Sequence, residues 1–392
     1  MRSNLLVGAL VAASLLAPAP SAGADPGHHV DLSRPAAGST NVAGAVHLGP
    51  ADNRSASADT KLRTGIAVYP LELTEPADTF TADVEATVPA DTELAIDVRG
   101  RLPDRQWTEW TEIRPEAPAV LAAPTRDVEV RAVLSALPGA SPSLRALTVK
   151  PSTSARTPSA PVAGPGGTYK VFATREGLVG GTTANGHRIV HRDHFVALPS
   201  RRGLSARWGG EYSVRVCAAN GRCEWAPVWD VGPWNTRDDY WNPGHVRQEW
   251  RNLPQGRPQS QAAYQDGYNG GRDQFGRRVG NPAAIDLADG TFWDGLRLSD
   301  NSWVTVTYQW SGSGPLGYVR TRGDTLNARR APRVGAPIDG LAANRAQVRI
   351  ECKISGQSVT GTQGTTSVWY RLAPNKFVSA AFVSGGRAAP RC

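Results

Sequence analysis

The chain has 392 residues, with 43 Lys plus Arg against 35 Asp plus Glu and a formal net charge of +8. That length allows two or three domains of ~100–200 residues each. No apolar run reaches the ~20 residues that a spanning helix needs, which excludes a helical membrane protein.

Arg2 opens a positively charged n-region, and residues 5–16 are an apolar run of Leu, Val, Ala and Gly. Ala22-Gly23-Ala24 supplies an A-x-A cleavage pattern, so 1–24 reads as a signal peptide and the mature chain starts at Asp25. A retained anchor is the alternative; no Cys follows the run, which argues against a lipoprotein anchor. The expected location is secreted, extracellular or cell-wall associated. For an exported protein the positive excess points to anionic wall polymers rather than nucleic acid, or serves solubility alone.

Residues 25–59 are small and polar with no hydrophobic period, and read as a flexible leader. From residue 60 the pattern becomes one of short alternating stretches, at 80–88, 94–100 and 128–134, separated by turn signals such as Pro89-Ala90-Asp91. Helical spacing is absent, so 60–149 reads as an all-β sandwich. Trp107 and Trp110 either stack on a sugar or close one end of its core. A Pro/Ser/Thr/Ala tract over 150–167 follows and reads as an extended linker.

The four cysteines, an even number, agree with export. A hairpin loop of Ala219, Asn220 and Gly221 would set Cys217 opposite Cys223, giving a cross-strand disulfide. Cys352 and Cys392 make the second pair. Metal binding by these cysteines is the alternative, but C-x₂₋₄-C pairs with nearby His are missing. His187, His191 and His194 have neither helical-pair nor zinc spacing, so no metal site is expected. No phosphate loop, Gly-x-Ser-x-Gly or Cys/His pair appears, so no cofactor is expected and serine hydrolase or NlpC/P60-type peptidase chemistry lacks support.

The stretch 183–234 carries the most specific motifs. Thr183-Ala184-Asn185-Gly186-His187, then Phe195-Val196-Ala197-Leu198-Pro199, then Val228-Trp229-Asp230-Val231-Gly232-Pro233-Trp234 occur in that order. Together with Ala284-Ile285-Asp286-Leu287 and the strand-like 302–310, they resemble the RlpA-like double-psi β-barrel of exported bacterial cell-wall proteins and plant expansins, here over 168–310. A long Trp-, Tyr- and Arg-rich insert, 235–281, interrupts the match; a loop of such length is functional or disordered. After a Ser-Gly-Ser-Gly-Pro boundary (311–316), residues 317–392 are similar to a bacterial SH3-like domain. The matching residues are Leu326-Asn327-Ala328-Arg329 with Pro332, and Ser367-Val368-Trp369-Tyr370-Arg371-Leu372. The fold class expected is therefore mainly β: a β-sandwich, a double-psi β-barrel and an SH3-like β-barrel.

The resemblance implies peptidoglycan or a related glycan as partner, in a monomer, with Asp230 facing the polysaccharide groove. Two functions follow. One is glycan binding without cleavage, as in expansins. The other is lytic transglycosylase chemistry, in which the sugar's own 6-hydroxyl attacks and one acid, Asp230, protonates the leaving oxygen. An apolar wall at Trp229 would raise the pKa of that acid. Asp before x-Gly-Pro also caps turns, which is the structural alternative. The lytic members carry Glu where this chain has His187, and His where it has Phe195; His194 stands one place earlier, which on a strand is the opposite face. His187 and His194 are thus the weaker catalytic candidates.

Nine of the twelve tryptophans fall between Trp208 and Trp310. Indole stacks on apolar sugar faces, so Trp229, Trp234, Tyr240 and Trp241 join Asn185 as substrate-binding candidates, with barrel core as the alternative fate. Trp234, Tyr240 and Trp241 stand in loop-like sequence and read as exposed. Some small exported double-psi barrels inhibit cysteine proteases, which gives a third reading as a protein-binding module using exposed hydrophobic loops. Because Cys352 and Cys392 both lie in the tail, that tail is expected to detach without unfolding the barrel.

Overall fold

The alternating patterns do produce a mainly β protein, with 50% of residues in strands and 8% in helices. The computed structural model describes residues 27–33, 39–49, 63–137, 139–154, 167–323 and 325–392. The expected signal peptide and residues 155–166 of the expected linker lie outside the described residues.

The N-terminal part is built from β1 (His28–His29), β2 (Ser39–Val42), β3 (Ala45–Leu48), β4 (Arg63–Thr87), β5 (Thr92–Gly100), β6 (Thr111–Ile113), β7 (Ala119–Ala136) and β8 (Ser143–Ser152). They form one sheet in the order β2-β3-β8-β4-β7-β5-β6, with β1 also on β8. The 25-residue β4 pairs with β7 up to Phe80 and with β8 from Thr79 onward. The long β4 is thus shared between the two halves of the sheet. Phe80, Val98, Val130, Leu134, Leu144 and Leu147 fill its core. Val30, Leu32, Val46 and Leu48 join that core, so part of the expected flexible leader over 25–59 is structured. Its strands span only two to four residues, too few for a period to register.

The central part contains β9 (Thr168–Arg175), β10 (Val196–Leu198), β11 (Ser213–Ala218), β12 (Cys223–Val231), β13 (Ala283–Leu287) and β14 (Ser302–Tyr308). Their pairing runs β10-β13-β9-β14-β11-β12 and returns to β10, closing a six-stranded barrel. The β9–β13 and β10–β12 pairs are parallel. Closure leaves no free barrel edge along these strands. Val171, Val196, Leu198, Val216, Ile285 and Val306 pack inside. The insert is folded rather than loose: it carries α1 (Gln259–Asp266) and packs toward the N-terminal sheet. There the indole N–H groups of Trp241 and Trp310 donate to Glu109 at 2.6 and 2.8 Å. Trp110 is buried in the barrel's own core cluster, with the Arg99 and Arg131 guanidiniums 4.4 and 4.2 Å from its ring. It closes the junction between the two parts and offers no face to a sugar.

The tail holds β15 (Leu316–Val319), β16 (Leu326–Arg329), β17 (Ile338–Ala342), β18 (Gln347–Arg349), β19 (Cys352–Gly361), β20 (Gly364–Ala373), β21 (Lys376–Ser379) and β22 (Val383–Gly385). Three of them, β18-β15-β22, form a small sheet; the others continue the barrel wall as β12-β17-β16-β21-β20-β19. Cys223, Glu224 and Trp225 pair in parallel with Gly340, Leu341 and Ala342. A Cβ at Gly340 would fall 2.2 Å from the Cys223 carbonyl oxygen, so this approach requires glycine. Trp225, a barrel residue, is fully buried in the tail's core beside Val348, Tyr370 and Val378. The 311–316 boundary is therefore one of composition: hydrogen bonding and packing run through it, against the expectation of a detachable tail. Both expected disulfides are present, Cys217–Cys223 and Cys352–Cys392.

Candidate functional site

Strand register assembles a cluster that no linear motif contains. Ala197 on β10 is the partner of Asp230 on β12 and also of Asp286 on β13. Asp286 is in turn level with Thr174 on β9. Partners in register project to the same face of a sheet. One level of the barrel wall thus reads Thr174, Asp286, Ala197, Asp230. Glu176 follows directly on the end of β9, where its backbone N–H donates to the Leu287 carbonyl at 2.9 Å. Three carboxyl groups from three strand ends meet here.

Their environments differ. Asp230 is fully buried, and its Oδ1 accepts the backbone N–H groups of Ala184 and Val231, each at 2.8 Å. Both carboxyl oxygens of Glu176 are also shut off from solvent, although the residue as a whole is half-buried. Burial, then the charges of Asp230 and Asp286, push the Glu176 pKa well above the usual carboxylate range, and its carboxyl hydrogen-bonds that of Asp230. Two carboxyls in contact cannot both ionise at ordinary cost. Protonation of Glu176 is favoured over that of an ordinary carboxyl group. Asp286 is half-buried; its Oδ1 accepts the Thr174 hydroxyl, and its Oδ2 faces Gly232, where an added Cβ would lie 3.7 Å away. Side by side, the site holds an acid with a raised pKa, a carboxylate fixed by two backbone donors, and a third carboxyl on a half-buried residue. Such a set can both give and take a proton.

The other candidates are placed differently from the sequence expectations. Trp229 does not wall Asp230; it is the extra residue of a register shift between Val228 and Asp230 and its ring is engaged elsewhere. Its indole N–H donates to Gly209, and its ring packs on Phe195 and His187, leaving it 7% exposed. Asp230 is enclosed instead by the Ala184 loop and Glu176. Asn185 is buried with its amide fully engaged: Oδ1 accepts from Thr183 and His187, and Nδ2 donates to the Ser205 and Ala206 carbonyls. It pins the 183–187 loop and is not turned toward a ligand.

His187 pairs with Asp193 through Nε2 at 2.8 Å. His194 bonds Glu224 through Nδ1 at 3.0 Å, and Glu224 also accepts the Thr291 hydroxyl at 2.9 Å. Glu224 stands six residues before Asp230 on β12, about 20 Å along the strand. His194 is therefore remote from the carboxyl cluster, and the Nε2 of His187 is taken by Asp193.

Tyr240 and Trp241, read as exposed, are 0% and 4% exposed and belong to the barrel core. The insert that carries them lacks periodicity, so sequence could not show that it folds inward. Trp234 remains half-buried beside the Gly232-Pro233 turn, its N–H donating to Asn281 and the Arg277 guanidinium 5.6 Å from its ring. Trp208 is 46% exposed and edge-on to His187 at 5.1 Å. Glu176 was not singled out by sequence; its only signal is its place directly after a strand. Asp286 carried a motif resemblance but no assigned role.

Residues 167–307, the barrel, match a family described as Domain of unknown function (DUF8814), about a third of the chain. No curated protein matches the sequence. Among the described residues, no group of three or more His, Cys, Asp or Glu is arranged to hold a metal ion, and no helix is long and apolar enough to cross a membrane. The two disulfides are compatible with an oxidising, extracellular setting.

Proposed function

We propose that this is an exported, wall-associated protein whose barrel engages a polysaccharide and cleaves a glycosidic bond by general acid–base chemistry at Glu176, Asp230 and Asp286. The supporting observation is that the strand register brings Asp230 and Asp286 to either side of Ala197, with the raised-pKa carboxyl of Glu176 beside them. Cleavage needs a proton delivered to the leaving oxygen and one removed from the attacking hydroxyl. In a lytic transglycosylase that hydroxyl is the sugar's own, so its attack closes an anhydro ring while the leaving oxygen is protonated. Asp286 is the group that would meet the glycan. Glu176 and Asp230 behind it hold the proton, and the half-buried Trp234 beside the turn offers a stacking edge.

Binding without cleavage is the second reading. Its support is that Asp230 and the Glu176 oxygens are sealed from solvent, while Trp208 and Trp234 keep exposed ring surface. For the inhibitor reading, Tyr240 and Trp241 of the insert face inward, while Val246, Tyr264 and Phe275 of the same insert are exposed. Digestion of isolated walls separates the first two. Release of anhydro-muropeptides by the mature chain, absent in Asp286→Asn, supports cleavage. Co-sedimentation with walls and no release supports binding alone. Neither release nor co-sedimentation would end both.

A further inference from the structure

We infer that the tail carries a binding groove for a linear polyanion, with oxyanion groups held by Arg322 and Arg329. This site is separate from the carboxyl cluster and independent of whether that cluster cleaves anything.

The first observation is where the charge lies. Residues 316–392 contain twelve Lys and Arg against three Asp and Glu, a formal +9. The other 315 residues contain 31 basic and 32 acidic side chains, a formal −1. The whole positive excess of the chain is thus in its last fifth. The tail does not neutralise itself. Asp339 is taken by Lys376 at 2.7 Å and Arg330 at 3.2 Å, and Glu351 by Arg371 at 2.9 Å. The third acid, Asp324, lies outside the described residues.

The second observation is a groove of about 590 Å³ on that same tail. Leu326, Trp369 and Phe382 give it an apolar lining, and Arg322 and Arg329 line it together with Thr321, Thr325, Thr360 and Thr362. Among the described residues no carboxylate lines it and none makes an ion pair with either arginine. Arg329 uses one nitrogen on the Ala336 carbonyl at 2.9 Å, which orients its fork. The groove's wall is braced: the Thr362 hydroxyl bonds the Arg320 carbonyl, and Gln357 accepts the Val334 N–H at 2.8 Å.

Guanidinium forks over an apolar floor fit an oxyanion-bearing chain. Bases need an open aromatic face on which to stack. Trp369 provides none, being 2% exposed with its N–H held by the Gln357 carbonyl, and the half-buried Phe382 is a single ring where successive bases need a row of them. The geometry therefore favours an anionic glycan or phosphodiester polymer over a single-stranded nucleic acid.

The test uses the full mature chain, calorimetric titration and three probes: polygalacturonate, inorganic polyphosphate and neutral dextran. Binding to one or both polyanions, weakening as salt rises, with none to dextran, is expected. The polyanion that binds more tightly identifies the oxyanion, carboxylate or phosphate. Arg322→Glu with Arg329→Glu should weaken it about tenfold or more. Arg387→Glu with Arg391→Glu makes the same charge change on exposed residues away from the groove, and should weaken it less than about threefold. Arg322→Glu alone, in an exposed loop, covers the case in which the double variant unfolds, and should still weaken binding severalfold. Equal losses in the groove and control pairs, an unaffected Arg322→Glu, equal binding to dextran, or tighter binding to DNA than to both polyanions would each overturn the assignment.

Discussion

Trp225 should tie the barrel and the tail into one folding unit, and Trp225→Ala is the sharpest way to test it. The residue belongs to barrel strand β12, yet it is fully buried in the tail's core. Its indole N–H makes no hydrogen bond among the described residues, so the substitution removes packing and leaves no new unsatisfied partner. The backbone pairing of Trp225 with Ala342 does not depend on the side chain. Truncating a buried Trp to Ala costs about 3–5 kcal/mol in transfer and cavity terms. At the ~2–4 °C per kcal/mol expected of a unit of 150–250 residues, the melting temperature should fall by roughly 6–20 °C. Calorimetry and urea unfolding of the mature chain read this directly. Barrel and tail should melt in one transition, displaced as a whole. Removing residues 316–392 should abolish that transition, because it uncovers Trp225 and the β12 backbone. Two separate transitions with only one displaced, or a loss below about 1 kcal/mol, would refute the coupling.

Three further outcomes are expected. Glu176 has a raised pKa in the fold, so the stability it contributes is full below the ordinary carboxylate value of ~4.3 and is lost as pH rises through the folded value. Glu176→Gln does not titrate, so its stability should fall less than the wild type's from pH 5 upward; parallel urea-unfolding curves across pH would contradict the raised pKa. Burial lowers the His194 pKa, but the charge and hydrogen bond of Glu224 outweigh it and raise it overall. Its contribution is therefore full below ~6.5 and lost as pH rises through the folded value, so His194→Gln should cost more stability at pH 5.5 than at pH 9. Finally, the Cys352–Cys392 bond closes a separation of 40 residues and Cys217–Cys223 one of 6, worth about 4 and about 2 kcal/mol in the chain-entropy account. Replacing each pair by serines should destabilise in that order, and the reverse order by denaturant titration would count against loop closure as the cause.

Local rules made the β class and both disulfides legible in the sequence. Period-2 alternation depends only on neighbouring residues, and the Asn220-Gly221 turn between Cys217 and Cys223 is a local signal that sets those cysteines opposite each other. Asp230 was legible because its motif is contiguous. The strands of 28–48 were not, because they are too short to show a period and gain stability only by pairing with β8 and each other. Tyr240 and Trp241 looked exposed because loop-like sequence says nothing of what covers a loop; here Glu109, more than a hundred residues away, bonds the Trp241 indole. Glu176 and Asp286 could not be joined to Asp230 by any spacing, since only the register of β9, β13, β10 and β12 makes them neighbours. The union of barrel and tail is the same kind of fact. It rests on a parallel pairing between β12 and β17, and parallel pairing is a long-range choice that adjacent residues do not encode.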